Sequence, residues 1–217
     1  MRDGVLGHIA SLVCHQMDDR SFAVGNHFLP LCGRCTGIYA GFAIGAFFLA
    51  ATGSMRAHRL PSVKLVLVSA FVFAVMVVEA AGEKLLWWGG SNECRLHTGL
   101  LGGGAISILL LPLCGYFLSR KPFERGTDAL RDYGVFVILA GSALAIHLCS
   151  SLLAVLPALS MTGLVGLYLC LNLAVSGAVL DLRHRNQSCL KLWLLVGLVL
   201  GLFLGEEQFL SLIRTRQ

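Results

Sequence analysis

The chain has 217 residues, 56% of them hydrophobic and 13% charged, with a mean hydropathy of +0.77. A soluble domain carries about 25% charged residues, so there is too little charge here to cover a water-facing surface. The formal net charge of +5 falls mainly between apolar stretches, with no basic face interleaved with aromatics. That pattern speaks to membrane topology and lipid headgroups and excludes a nucleic-acid partner.

In chain order, residues 1–8 offer a short apolar stretch broken by His8 and no cleavage site. No secretory signal is read, and the first true span is expected to act as its own insertion signal. Residues 4–13 are too short to span and are expected to lie at the interface as an amphipathic helix. Cys14-His15 follows, then Leu29-Pro30-Leu31-Cys32-Gly33-Arg34-Cys35-Thr36-Gly37-Ile38-Tyr39. Three cysteines and a histidine fall within 22 residues, immediately before a long apolar run.

Six apolar segments follow, at roughly 36–53, 64–82, 98–118, 134–155, 161–180 and 192–210. Each is near the ~20 residues a helix needs to cross the hydrocarbon core. The expected fold is an all-α membrane protein, a bundle of about six transmembrane helices behind a short interfacial segment. It reads as one membrane domain over 1–217, with a Cys/His segment at 1–35 and the bundle at 36–210. Gly is abundant, at 25 residues, and Pro scarce, at 5, as in membrane helices where small residues let backbones approach. Pro157 is expected to sit in a tight turn at 155–160 between the fourth and fifth spans. Cys35-Thr36-Gly37 and His97-Thr98-Gly99 echo one another, each opening a span with a Thr-Gly step, which reads as the trace of an internal duplication.

The loops after the odd-numbered spans are basic. Arg56, Arg59 and Lys64 flank the first, Arg120, Lys121, Arg125 and Arg131 the second, and Arg183, Arg185 and Lys191 the third. Against these ten stand seven: Arg2, Arg20, Arg34, Lys84, Arg95, Arg214 and Arg216. The positive-inside rule puts the three basic loops in the cytoplasm and both termini outside. The Cys/His segment is then expected at the extracytoplasmic face of the cell membrane.

Eight cysteines are present. Cys114, Cys149 and Cys170 lie in spans and Cys189 in a basic loop, and these read as small buried hydrophobes. Cys14, Cys32, Cys35 and Cys94 share one face with His15, His97, Arg34 and Arg95. Three readings stay open for them. In the first, Cys32-x-x-Cys35 with Cys14 or His15 binds a soft metal, zinc, copper(I) or iron, and Cys94 or His97 completes the set. In the second, the CxxC at a helix N-terminus does thiol redox chemistry, its thiol acidified by the helix dipole and Arg34. In the third, Cys32–Cys35 and Cys14–Cys94 are inert disulfides.

Other polar residues have a bland and a sharp reading. Glu79 near the end of the second span is either solvated or functional, since a carboxylate at membrane depth is expensive. Glu83 lies a turn later. His147 and Asn172 read as interhelical hydrogen-bonders, Trp87 and Trp88 as a headgroup-level belt, and Glu206 and Glu207 as interfacial. Gly102-Gly103-Gly104 inside a span favours close helix packing over phosphate binding.

Cys14-His15-Gln16, Arg20-Ser21-Phe22 and Pro30-Leu31-Cys32-x-Arg34-Cys35-Thr36-Gly37-x-Tyr39-x-Gly41 resemble the signature of a prokaryotic family of small polytopic membrane proteins. That family carries a domain of unknown function. A later pattern is similar at Asn92, Arg95, Thr98, Gly99 and Gly103, with Glu79 at a position usually Asp. The resemblance covers 14–104 and implies no established reaction. It implies a ligand set of Cys14, His15, Cys32 and Cys35, since Cys94 and His97 fall outside the signature. An odd thiol count suits a metal better than paired disulfides. Arg20, Arg34 and Arg95 would then clamp an anion such as a lipid phosphate, with Tyr39 in the same substrate site. His15 or Glu79 would move protons.

The sequence thus points to a membrane-embedded metal site, zinc foremost, in a protein whose partners are membrane lipids and whose substrate is lipid-like and anionic. The alternatives are a quinone-linked thiol–disulfide oxidoreductase using Cys32 and Cys35, and a non-enzymatic protein with a structural metal or disulfide.

Overall fold

A computed structural model of the chain describes residues 7, 10–24, 27–52, 62–85, 89–119, 129–148 and 153–183. Among these lie five α-helices: α1 (Gly33–Ala51), α2 (Val63–Lys84), α3 (Asn92–Ser119), α4 (Ala129–Leu148) and α5 (Leu156–Arg183). A two-residue ribbon, β1 (Ala23–Val24) paired antiparallel with β2 (His27–Phe28), precedes them.

Four helices are long and apolar enough to cross a membrane, over Gly33–Ala51, Val63–Glu83, Asn92–Gly115 and Leu156–Val175. The apolar part of α4 is shorter, Gly134–Ile146. The sixth expected span, 192–210, lies outside the described residues, as do most of the basic loops, Trp87, Trp88, Cys149, Cys189, Glu206, Glu207 and the side chain of His147. Of the expected interfacial helix over 4–13, Gly7, Ala10 and Ser11 are helical, and Leu12 and Val13 form a turn.

The helices alternate in direction. The first turns of α1 and α3 meet the last turns of α2 through side-chain bonds described below. The start of α5 packs on α1 where Gly163 meets the Tyr39 backbone, and the start of α4 meets the end of α1 where Gly134 meets the Phe48 ring. The up-down order agrees with successive membrane crossings.

Several helix boundaries differ from the sequence reading, and two of them have a clear local cause. The helix α3 begins at Asn92, six residues before the expected 98, because the Ser91 hydroxyl accepts from the Cys94 N–H at 3.1 Å and caps the helix. Pro157 is in the first turn of α5, not in the turn before it. Its missing N–H would be an orphan at that position anyway, so proline starts the helix at little cost.

Helix α3 is the inner element. Its apolar window is 61% buried, against 28% for α2 and for α5. It packs most heavily on α1. On α2, Leu65, Ser69, Val72, Met76, Glu79 and Glu83 follow a helical stripe that faces inward. The other sides expose Val63, Leu67, Phe71 and Val78. Apolar side chains at 58–76% exposure would penalise a water-facing helix but suit a lipid-facing one.

Candidate metal centre

The site is built by the chain between Cys14 and Cys35. Cys14 is 7% exposed and belongs to the core cluster around α1. The backbone then turns through Gln16, whose φ of 51° lies in the left-handed region that side-chained residues seldom use. The Gln16 amide compensates for the turn. Its Nε2 donates to the Gly7 carbonyl at 3.0 Å and to the Pro30 carbonyl at 2.9 Å. One side chain thereby ties the segment before Cys14 to the segment before Cys32.

From there the chain makes a 3-10 turn at Asp18–Arg20, closed by the Ser21 hydroxyl donating to the Met17 carbonyl at 2.8 Å. The ribbon reverses direction, and the Leu29 N–H donates to the Phe22 carbonyl at 2.9 Å. Leu29 and Leu31, 1% and 0% exposed, enter the core and pin the returning strand. Cys32 stands at the N-cap position of α1 without a side-chain capping bond, and Cys35 follows in the first turn.

The sulfurs of Cys14, Cys32 and Cys35 all lie within 4.8 Å of one another. The Cys32 N–H donates to Cys14 Sγ at 3.2 Å. The trio shares protons unequally. The Cys32 thiol is pushed well below the ordinary thiol range, because Cys14 and Cys35 donate to its thiolate. The Cys14 thiol is raised, because it is the donor to Cys32 and is buried. One sulfur is poised as a thiolate, the form that binds metal or attacks a disulfide. None of the six described cysteines is in a disulfide.

Beside the trio lies a buried ionic network. Arg34, between Cys32 and Cys35, donates from Nη2 to Glu79 Oε2 at 2.5 Å and to Glu83 Oε2 at 3.1 Å. Arg95 donates from Nε to Glu83 Oε2 at 3.0 Å and from Nη1 to Asn92 Oδ1 at 2.7 Å. Glu83 and Arg95 side chains are 4% and 9% exposed. Two guanidiniums and two carboxylates balance, as burial requires. Asn92 extends the network to the thiol loop, donating from Nδ2 to the Asp19 carbonyl at 3.3 Å and the Ser21 carbonyl at 3.4 Å.

Cys14, Cys32 and Cys35 are thus brought together. His15 is exposed and its ring is not in the sulfur group. Arg34 and Arg95 are engaged by carboxylates, where the sequence reading had them open to an anion. Arg20 pairs loosely with Asp19 at 3.7 Å. Tyr39 is 9% exposed and packed in the helical core. Cys94 is exposed at the start of α3 and outside the trio. Sequence reasoning assigned no role to Gln16, Asn92 or Glu83. The stripe Leu65-Ser69-Val72-Met76-Glu79-Glu83 would have marked both glutamates as inward-facing.

A family model described as "Predicted membrane protein (DUF2085)" matches residues 14–109. An uncharacterized protein of Methanocaldococcus jannaschii is 30% identical over 113 residues, 52% of this chain and 70% of that protein. The chain belongs to the DUF2085 family of predicted membrane proteins. An uncharacterized protein of Methanothermobacter thermautotrophicus is 28% identical over 100 residues, 45% of this chain and 83% of that protein. No solved structure matches. The stretch matched to DUF2085 contains all three clustered thiols and the whole Arg34–Glu79–Glu83–Arg95 network.

Proposed function

We propose that this DUF2085 protein is a membrane-embedded metalloprotein whose Cys14, Cys32 and Cys35 bind one soft metal ion, zinc foremost, with copper or iron as alternatives. The observation that carries the reading is the approach of three sulfurs to within 4.8 Å. A zinc–sulfur bond of about 2.3 Å puts tetrahedral thiolates roughly 3.8 Å apart, so the trio needs little movement to close on an ion. A thiolate-rich set selects zinc, copper(I) or iron over hard cations.

Three protein ligands leave a fourth position. Such a set is catalytic where that position takes water or substrate and structural where it takes a further protein ligand. His15, adjacent to Cys14, is the protein group nearest in sequence for that place or for proton transfer. In the catalytic version the ion would polarise a substrate oxygen or activate water at the lipid interface. Because Glu79 and Glu83 hold Arg34 and Arg95, those arginines serve here to position the first turn of α1 rather than to clamp an anionic headgroup. The excess of basic residues in the opposite loops supports an extracytoplasmic site.

Elemental analysis of the purified protein, with cobalt(II) substitution to reveal thiolate charge-transfer absorption, tests the reading. About one equivalent of zinc, lost on Cys14→Ser, Cys32→Ser or Cys35→Ser and retained on Cys94→Ser, supports it. No bound metal, with a Cys32–Cys35 disulfide that cycles against quinone, would establish the thiol–disulfide oxidoreductase instead. The thiolate poised at Cys32 favours that second reading.

A further inference from the structure

Cys114 on α3 and Cys170 on α5 read in the sequence as two unrelated buried hydrophobes. The fold brings them together across 56 positions of chain. The Cys114 thiol donates to the Cys170 carbonyl at 3.2 Å, and the two side chains lie within hydrogen-bonding reach of each other. Cys114 is 2% exposed, Cys170 is half-buried, and neither is in a disulfide. Both belong to spanning stretches, Asn92–Gly115 and Leu156–Val175.

This pair is separate from the thiol trio. The ionic network beside the trio sits at the first turn of α3, and Cys114 lies nineteen residues beyond Arg95 on that helix. At 1.5 Å per residue the separation is about 28 Å, most of the way to the other end of the span. Among the described residues, the trio is the one group of three or more His, Cys, Asp or Glu side chains placed to hold an ion. Two thiols without a third such ligand fall short of the set that zinc takes. What two thiols held side by side can do is form a disulfide, since proximity turns the reaction into an intramolecular one. Pro112, two residues before Cys114, has no N–H to give the Ile108 carbonyl, so the α3 ladder lacks a rung there and can adjust to the link.

Access decides which oxidant. Leu113 and Leu169, the chain neighbours of the two thiols, are 40% and 65% exposed, on helices that face lipid. An electron acceptor must therefore arrive through the bilayer rather than from water. We propose that Cys114 and Cys170 are a redox-modification site, a dithiol that a lipid-soluble quinone oxidises to a disulfide joining α3 to α5. Two S–H bonds break and one S–S bond forms, and the two electrons and two protons convert the quinone to its quinol. The link closes a loop of 56 residues and restricts the unfolded chain, so the oxidised protein is the more stable form. Both cysteines lie beyond residues 14–109, outside the stretch matched to DUF2085.

The test uses the full-length, reduced protein in nanodiscs and a decyl benzoquinone with every ring position substituted, so that thiols cannot add to the ring. Remaining thiols are alkylated, and linked peptides are mapped by mass spectrometry. The expected product joins the peptides of Cys114 and Cys170, with one quinol made for each disulfide. It should form about tenfold faster than with oxidised glutathione, which stays in water. A Cys32–Cys35 disulfide maps to a different peptide, so chemistry at the trio is told apart. The unfolding midpoint should rise by about 5–10 °C on oxidation, and Cys170→Ser should abolish both the link and the rise. Cys114 and Cys170 still fully alkylated after quinone treatment would overturn the proposal. So would equal oxidation by glutathione, a midpoint lowered by the link, or a copper(I) ion held by the pair in place of a link. The peptide mapping needs no variant, so it stands if Cys170→Ser fails to fold.

Discussion

Gly37 on α1 faces Gly99 on α3, so closely that a Cβ built on Gly37 would lie 3.0 Å from the Gly99 Cα. The pair belongs to a longer seam. Gly41 meets the Leu100 backbone, and Gly103 meets the Ile38 carbonyl. Glycines four apart on both helices put backbone against backbone, the small-residue packing that membrane helices use in place of hydrophobic drive. The site depends on this seam. It holds the first turn of α1, with Arg34 and Cys35, against the first turn of α3, with Asn92 and Arg95.

Substitution in the seam should destabilise the protein. In an open helix, Gly→Ala gains about 0.5–1 kcal/mol. At Gly41 the new methyl would overlap the Leu100 carbonyl, a backbone group that cannot swing aside. Overpacking of that kind costs about 1–3 kcal/mol, so the loss should win. Gly141, with nothing within 4 Å of its Cβ position, is the control. Thermal unfolding in detergent should show a lower midpoint for Gly41→Ala and an unchanged or higher one for Gly141→Ala.

Glu83 should be the most sensitive member of the ionic network, since Arg34 and Arg95 both bond to its Oε2. Glu83→Gln leaves excess positive charge in a buried setting, for which a loss of about 3–5 kcal/mol is expected. The double variant Glu83→Gln/Arg95→Gln should recover part of that loss. A double-mutant cycle by denaturant or thermal unfolding checks it, and strictly additive losses would refute the coupling.

Gln16 should control the thiol loop without being a ligand. Gln16→Ala removes the bonds to Gly7 and Pro30 while keeping a Cβ at a φ of 51°. Two lost hydrogen bonds at about 1 kcal/mol each predict faster proteolysis of the loop and weaker metal binding. Gln16→Gly relieves the backbone but not the bonds, so it should recover only part of the loss. Limited proteolysis and a chelator competition on both variants would separate the two contributions.

Metal affinity should rise with pH. Thiols must lose protons to bind, so each proton still held costs roughly tenfold in affinity per pH unit. Cys32 is already poised as the thiolate, while the raised Cys14 thiol holds its proton through neutrality. The raised group sets the sign: affinity should climb from about pH 6 to pH 8, because that proton is displaced by the ion. Zinc competition against a chelator of known protonation behaviour measures the slope. A flat profile would mean that Cys14 does not bind as a thiolate.

Sequence alone determined the membrane character, four of the five described helices as spanning segments, and the three clustered cysteines. Hydropathy over some twenty residues is a local property, and CxxC on a helix start is a local geometry, so both were legible without a fold. The Thr-Gly echo was visible too, but its meaning was not. Gly37 and Gly99 repeat because they meet, which needs two helices 62 positions apart in the chain to be set side by side. Pro157 was misplaced by five residues of apolar sequence in which a turn and a helix start look alike. Tertiary structure alone decided the fate of the arginines. Arg34 and Arg95 looked available for an anion until the inward stripe of α2 delivered Glu79 and Glu83 to them. A buried charge takes the nearest opposite charge that packing supplies, and packing is set by contacts distant in sequence.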